Sequence, residues 1–208
     1  MLLFDIHTHN LQADHETAIL DCGTAYTTGR RISMGIHPWH INGEWEKVFD
    51  SIKQYCTHTN VAAIGECGID KLHSPASIEV QKELFRAHAI LAEKVKKPLI
   101  IHCVKGIEEI LSVRKEIKPV QAWIIHSFRG KKEEAKQLTN AGFYLSLGEK
   151  FNSMSAASIP AGRLLVETDD SNKGISDIYC TVSTARNCTV EELQAIITGN
   201  IKNIGCLL

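Results

Sequence analysis

Short apolar runs recur along the chain, and each one ends at or near a polar residue. The runs are Leu2–Ile6, Ala18–Leu20, Ile32–Ile36, Val61–Gly65, Pro98–Ile101, Ala122–Ile125, Phe143–Leu147 and Leu164–Val166. Most of them are continuous rather than alternating, which is typical of strands that are buried on both faces of a parallel sheet. The pattern therefore predicts eight parallel strands, of which Ala18–Leu20 has the weakest signal.

Most segments between these runs have the spacing of amphipathic helices. The predicted helices are Ser77–Lys96, Gly106–Ile117, Lys131–Asn140 and Thr189–Ile201. Pro98 blocks the first helix from continuing, and Thr189 with Glu192 forms a capping box at the start of the last. Strands that alternate with helices predict βαβ units, and eight of them predict an α/β fold of the (β/α)8 TIM-type barrel class.

A barrel of 208 residues is near the lower limit of this fold, so some connections must be trimmed. Asp21–Arg31 is too short for a full helical crossover, and Asp170–Cys188 is predicted to be a loop. Because neither a linker nor an internal repeat is visible, residues 1–208 are expected to form one domain.

The composition is that of an average soluble protein, and its charge is nearly balanced. Lys and Arg total 23, Asp and Glu total 24, and the net charge is −1. This balance excludes a generally basic nucleic-acid coat and an acidic tail. The sequence has seven scattered cysteines and no basic leader before the first apolar run. It also has no apolar stretch near the roughly 20 residues of a membrane span. These features predict a cytoplasmic protein without membrane contact.

Histidines and carboxylates follow the predicted strands, and this placement points to metal binding. His7 and His9 lie two apart, so in a strand both side chains point to the same face. The carboxyl ends of barrel strands converge on one mouth, where six side chains would then meet. Each alone could simply cap a neighbouring helix, but together they offer enough ligands for two divalent metal ions, which a glutamate could bridge. The six are His7, His9, Glu66, His102, His126 and Asp169.

The sequence resembles the TatD family of metal-dependent hydrolases, which belongs to the amidohydrolase-like barrels. Seven motifs in the family's order carry the likeness and span nearly the whole chain. They are Asp5–His9, Gly35–Pro38, Gly65–Asp70, Pro98–His102, Ile124–Gly130, Leu164–Asp169 and Thr198–Asn200.

This resemblance implies a two-metal site that hydrolyses phosphodiesters, because family members are deoxyribonucleases. One metal ion would be held by His7, His9, Glu66 and Asp169. The other would be held by Glu66, His102 and His126, and the ions would be Mg, Mn or Zn. The chain departs from the family after Asp169, where Asp170–Gly174 lacks the expected Arg and Asn-x-Pro-like turn.

The expected mechanism uses a hydroxide formed from metal-bound water, whose pKa falls from about 15.7 to roughly 7. Asp169 is the expected general base, Glu66 contributes as the shared carboxylate, and His37 would orient a phosphate or protonate the leaving oxygen. Cations just past strand ends are expected to bind substrate phosphates, although each could be a solvated surface charge. These are Lys71, Lys105, Arg129 and Lys150. Trp39 could stack on a base or pack against neighbours.

Two other functions remain open at the level of sequence. The first is a hydrolase of small phosphate esters, or of ester or amide bonds, at the same metal centre. The second is a metal-binding protein without turnover that uses the barrel as a partner surface. The expected partner is therefore DNA or a small phosphodiester, and no obligate protein partner is evident.

Overall fold

The computed structural model describes residues 2–205, in which eight strands alternate with seven helices. The strands are β1 (Asp5–Thr8), β2 (Ala18–Asp21), β3 (Ile32–Met34), β4 (Val61–Asp70), β5 (Leu99–Val104), β6 (Trp123–Ile125), β7 (Tyr144–Leu147) and β8 (Leu164–Val166). The helices are α1 (Trp45–Tyr55), α2 (Ile78–Val95), α3 (Ile107–Ile117), α4 (Lys132–Asn140), α5 (Ser153–Ser158), α6 (Ile175–Arg186) and α7 (Val190–Ile204).

The chain divides into two compact units. The continuous unit is Asp21–Trp123, and the discontinuous unit combines the residues up to Leu20 with those from Ile124 onward. The assignment of residues 1–208 to one domain stays a prediction, and residues 1 and 206–208 lie outside the described residues. Across residues 2–205, no helix combines the length and apolar character that crossing a membrane requires.

In the discontinuous unit, the last strand pairs with the first. The ladders β6–β7, β7–β8 and β1–β2 are parallel, and a parallel bridge joins Thr8 to Asp169, directly after β8. Asn200 of α7 supports the start of β8, because its buried amide donates to the carbonyls of Ala161 and Leu164. This is a physical role for the Asn200 of the last sequence motif.

Helix α6 corrects the prediction that Asp170–Cys188 is a loop. Its buried residues include Ile178, Tyr179 and Val182, and the Tyr179 hydroxyl donates to the carbonyl of Phe4. Small and polar residues interrupt the apolar spacing of this helix, so its periodicity is weak. Asp21–Arg31 contains no helix, as its length predicts.

In the continuous unit, β3, β4 and β5 form parallel ladders against α2 and α3. Strand β4 runs five residues past the predicted end of its apolar run, to Asp70. Gly68 permits β5 to approach closely, since its φ is +149° and a Cβ there would overlap the His102 carbonyl oxygen. This approach sets the spacing between the polar ends of the two strands.

The exit of β4 is tied to the start of α2 by Gln81. Its Oε1 accepts the Asp70 amide at 2.8 Å, and its Nε2 donates to the Ala76 carbonyl. The Ser77 hydroxyl caps α2 by accepting the Val80 amide. The polar residues at the end of β4 therefore stand on a rigid strand-to-helix turn.

Candidate metal centre

In the discontinuous unit, the pairing of β1 with the exit of β8 brings His7, His9 and Asp169 together. The Asp169 amide donates to the His7 carbonyl and the His9 amide donates to the Asp169 carbonyl, both at 3.0 Å. Asp169 Oδ1 lies 3.8 Å from His7 Nε2 and 3.6 Å from His9 Nε2. These separations exceed a hydrogen bond, and they match the roughly 3.4 Å between ligands of a tetrahedral ion with bonds of about 2.1 Å. The spacing of these donors therefore fits a metal ion.

His126 joins the same group from the end of β6. Its ring centroid lies 4.7 Å from that of His7, and ligand atoms of His7, His126 and Asp169 all lie within 4.8 Å of one another. Within this unit the structure therefore brings together four of the six predicted side chains, His7, His9, His126 and Asp169.

Glu167 orients His126, and the sequence analysis gave it no role. Its fully buried carboxylate accepts the Ser127 amide, and Oε1 lies 3.3 Å from His126 Nδ1. A proton on Nδ1 satisfies this contact and directs the lone pair of Nε2 to an ion, as outer carboxylates do at metal sites. Glu167 and Asp169 lie two apart after the same strand, which was a usable signal.

Asp5 of β1 holds the residues that follow β8 next to β1. Its carboxylate accepts the Thr168 amide at 3.0 Å and the Thr168 hydroxyl at 2.6 Å. Burial raises the pKa of Asp5 to about 7, although the hydrogen bonds from Thr168 act in the opposite direction. Asp5 is thus a structural carboxylate in the first motif.

In the continuous unit, Glu66, His102 and His37 form a second donor group. Glu66 Oε1 lies 2.7 Å from His102 Nδ1 and 3.1 Å from His37 Nε2. The Glu66 amide donates to Asp21 Oδ1 at 3.1 Å, which anchors the backbone at this position. A buried carboxylate beside imidazole nitrogens is a donor set that suits Zn, Mn or a similar divalent ion.

The tautomer of His37 follows from its backbone contact. The Trp39 amide donates to His37 Nδ1 at 3.1 Å, so the proton of the neutral ring is on Nε2. That N–H points to Glu66 Oε1 and His102 Nδ1. His37 is therefore a hydrogen-bond donor at this group, which fits its predicted role toward phosphate or leaving-group oxygen better than a ligand role.

Asp70 is a second carboxylate to which the sequence analysis gave no role. Its Oδ2 lies 3.2 Å from His102 Nε2 and accepts the Trp39 indole N–H at 2.6 Å. Burial of Asp70 opposes ionisation, but hydrogen bonds from Trp39, the Leu72 and His73 amides and His102 lower its pKa well below the usual range. When an ion replaces the proton between His102 Nδ1 and Glu66 Oε1, the ionised Asp70 would hold the remaining ring proton on Nε2. Glu66 and Asp70 lie four apart on one strand, which was again a usable signal.

The four predicted phosphate-binding cations are exposed, and two of them have assigned contacts. Lys71 is 2.7 Å from Glu109 Oε1, and the Arg129 guanidinium donates to the Ser127 hydroxyl at 2.9 Å. Lys105 and Lys150 follow β5 and β7 at exposed positions. Ser127 holds Arg129 near His126. Glu109, which pairs with Lys71, would compete with a substrate phosphate for that cation.

A cavity of about 250 Å³ lies beside His37 in the continuous unit. Thr24, His40, Asn42 and Trp45 are among its lining residues. It offers both hydrogen-bonding groups and an aromatic side chain beside His37.

Comparison with known proteins places the chain among metal-dependent hydrolases. A model of the TatD related DNase family matches residues 4–204. An uncharacterised metal-dependent hydrolase of Buchnera aphidicola is 33% identical over 66% of this chain and 55% of its own length. YabD of Bacillus subtilis, also named an uncharacterised metal-dependent hydrolase, is 29% identical over 83% of this chain and 76% of its own. The 3'-5' ssDNA/RNA exonuclease TatD of Erwinia tasmaniensis is 29% identical, and the match spans 56% of that protein.

Solved structures support the fold. A TatD family hydrolase from Entamoeba histolytica aligns over 100% of this chain and 99% of its own, with a TM-score of 0.77 and 17% identity. The TatD homologue YjjV of Escherichia coli aligns over 90% of this chain and 85% of its own, with a TM-score of 0.79 and 17% identity. Together with the eight strands that alternate with helices, these likenesses confirm the predicted (β/α)8 fold class.

Proposed function

The chain belongs to the TatD related DNase family, and from this premise we propose that it is a divalent-metal-dependent phosphodiesterase that acts on DNA. The observation that carries the proposal is the gathering of imidazole and carboxylate donors within or shortly after the strands of each unit. The names of the relatives, metal-dependent hydrolase and ssDNA/RNA exonuclease, support the reaction and the substrate class. The match spans only about half of the Buchnera and Erwinia relatives, so activity and substrate are both part of the proposal.

Two divalent ions, Mg, Mn or Zn, are the proposed cofactors. The proposed ligands are His7, His9, His126 and Asp169 in the discontinuous unit and Glu66 and His102 in the continuous unit. Bound ions would supply a water acidic enough to ionise near neutral pH and positive charge for the phosphoryl oxygens. Glu167 and Asp70 would hold the ligand histidines in the required tautomers.

Different side chains of the protein would accept and donate protons. Asp169 is the proposed general base, because its carboxylate lies among the ligand nitrogens with 14% of the side chain exposed. Glu66 accepts the Nε2 proton of His37 and so fixes that ring. His37 is the proposed donor to the phosphate or to the leaving oxygen.

The proposed substrate contacts are the exposed cations Arg129, Lys71, Lys105 and Lys150. Arg129 has the strongest support, because Ser127 orients its guanidinium and a fork can bind phosphate oxygens in pairs. Replacing a phosphate-binding cation by Ala should weaken binding at low salt and lower the slope of log affinity against log salt by about 1.

The proposed location is the cytoplasm. None of the six cysteines within residues 2–205 forms a disulfide, which suits a reducing compartment.

The test is cleavage of single-stranded DNA and of a small phosphodiester by purified protein with Mg, Mn or Zn. Glu66→Gln removes a proposed ligand charge, and Glu108→Gln is the matched control, because Glu108 is an exposed carboxylate on α3 of the same unit. We expect metal-dependent cleavage of DNA that Glu66→Gln abolishes and Glu108→Gln preserves. Cleavage of the small ester alone would refute DNA as the substrate class. Bound metal without turnover of either substrate would refute the proposal that the protein is a phosphodiesterase.

A further inference from the structure

Trp39 presents an indole ring to solvent beside the donor group of the continuous unit. The residue is 49% exposed, although a side chain of this size is ordinarily mostly buried. Its ring stands edge-on to His37 with centroids 4.8 Å apart and to His102 with centroids 5.9 Å apart. An exposed aromatic surface therefore lies next to two residues of the proposed catalytic group.

One hydrogen bond orients this ring, and two more hold the backbone that carries it. The indole N–H donates to Asp70 Oδ2 at 2.6 Å, and the Trp39 amide donates to His37 Nδ1 at 3.1 Å. The preceding carbonyl, that of Pro38, accepts the Ser74 hydroxyl at 2.7 Å. The polar edge of the ring is satisfied within the protein, so what remains for a ligand is an apolar π surface.

A fixed and exposed aromatic surface beside a phosphodiester site is suited to a flat, unpaired base. Aromatic side chains bind single-stranded nucleic acid by stacking, and this contact tolerates any sequence because every base has a π face. Within a duplex the faces of the bases are already stacked on each other, so they cannot cover the ring.

We propose that Trp39 is the stacking platform for a nucleobase next to the scissile phosphate. This inference rests on the proposed nuclease function, and it names single-stranded nucleic acid as the substrate form. The platform positions the nucleotide by its base while His37 addresses the phosphate.

The first experiment compares an oligothymidylate with an abasic oligonucleotide of the same length and phosphate number. Loss of one stacking contact corresponds to about a 5- to 150-fold decrease in kcat/KM. We expect Trp39→Ala to show this decrease on oligothymidylate, chiefly through KM, and to show a much smaller decrease on the abasic strand. Trp39→Phe keeps an aromatic face without the N–H, so it should recover most of the loss.

A positioning role through Asp70 would give a different pattern. In that case Trp39→Phe would behave like Trp39→Ala, and both variants would lose activity equally on the two substrates. That outcome, or full activity of Trp39→Ala on oligothymidylate, would overturn the platform.

A binding experiment separates this inference from the nuclease proposal. Oligothymidylate titrated into Glu66→Gln should quench tryptophan fluorescence, and adding Trp39→Phe should abolish the quenching. Trp45→Phe is the matched control, because Trp45 is the other partly exposed indole and Trp123 is fully buried. If Trp39 is quenched but the native protein does not cleave the strand, the stacking role of Trp39 stands and the proposed nuclease function is refuted. Absence of quenching would refute the platform whatever the activity.

Discussion

His88 makes the stability of the protein depend on pH in a window that the structure defines. The ring is fully buried in α2, where Nε2 accepts the Ile36 amide at 3.1 Å and Nδ1 donates to the Leu84 carbonyl at 2.9 Å. The ring of Phe49 packs edge-on at 4.7 Å. In the neutral ring both nitrogens form hydrogen bonds. Protonation of Nε2 would turn this acceptor into a donor and break the hydrogen bond from the amide of Ile36, one residue before His37.

The magnitude follows from the pKa of His88, which burial lowers from 6.5 to about 4. The unfolded chain therefore binds a proton between these values while the folded chain does not. Stability is fully present above pH 6.5 and is lost as the pH falls toward 4. At about 1.4 kcal/mol per pKa unit, the loss from this one group is about 3 kcal/mol.

The assay is urea unfolding at pH 7, 6, 5 and 4.5, with a chelator present, for the native protein and His88→Gln. Gln cannot titrate and can keep one acceptor and one donor in place, so its free energy of unfolding should fall less over this range. The difference between the two profiles cancels shared contributions such as that of Asp5. Parallel profiles would refute the reasoning, as would an NMR titration in which the His88 ring protonates near 6.5.

Three further predictions follow from named contacts. Glu167→Gln removes the charge behind His126 and should weaken metal affinity by about 10- to 100-fold in calorimetric titration; unchanged affinity would contradict its orienting role. Gly68→Ala forces a Cβ against the β5 backbone and should lower the free energy of unfolding by more than 1 kcal/mol, whereas Gly162→Ala, in open space, should not. Thr189→Ala removes the N-cap of α7 and should cost about 1 kcal/mol in urea unfolding; no change would mean that solvent replaces the cap.

Much of the fold was predictable, because buried parallel strands leave continuous apolar runs. The run Leu164–Val166 coincides with β8, and the predicted helix Ser77–Lys96 differs from α2 only by its two caps. Helices α1, α5 and α6 were not predicted. In α1, Trp45, Val48, Phe49 and Ile52 follow the spacing of one helical face, so the signal was present in the sequence and was missed.

The site was predictable to the level of candidate ligands, and spacing also marks Glu167 and Asp70 as candidate acids, but the sequence does not say which acid binds an ion and which supports a histidine. A strand-end histidine signals a polar site, whereas the carboxylate that holds its second nitrogen depends on the geometry after the strand. At Glu167–Asp169 the backbone turns to a positive φ of 55° at Asp169, which breaks the simple alternation of side chains. The proposed division of roles between these two acids therefore depends on the backbone conformation after β8, which the sequence pattern does not show.

The bridge between Thr8 and Asp169 has a consequence for synthesis on the ribosome. His7 and His9 leave the ribosome with the first strand, but Asp169, which gathers them, follows about 160 residues later. At about 5–20 residues per second this interval is roughly 8–30 s. The continuous unit is translated completely within it, whereas β1 can pair with β2 at once but must wait for the bridge to Asp169. During translation the nascent chain therefore carries an incomplete histidine group, and the donor set of the discontinuous unit closes only after β8 has been made.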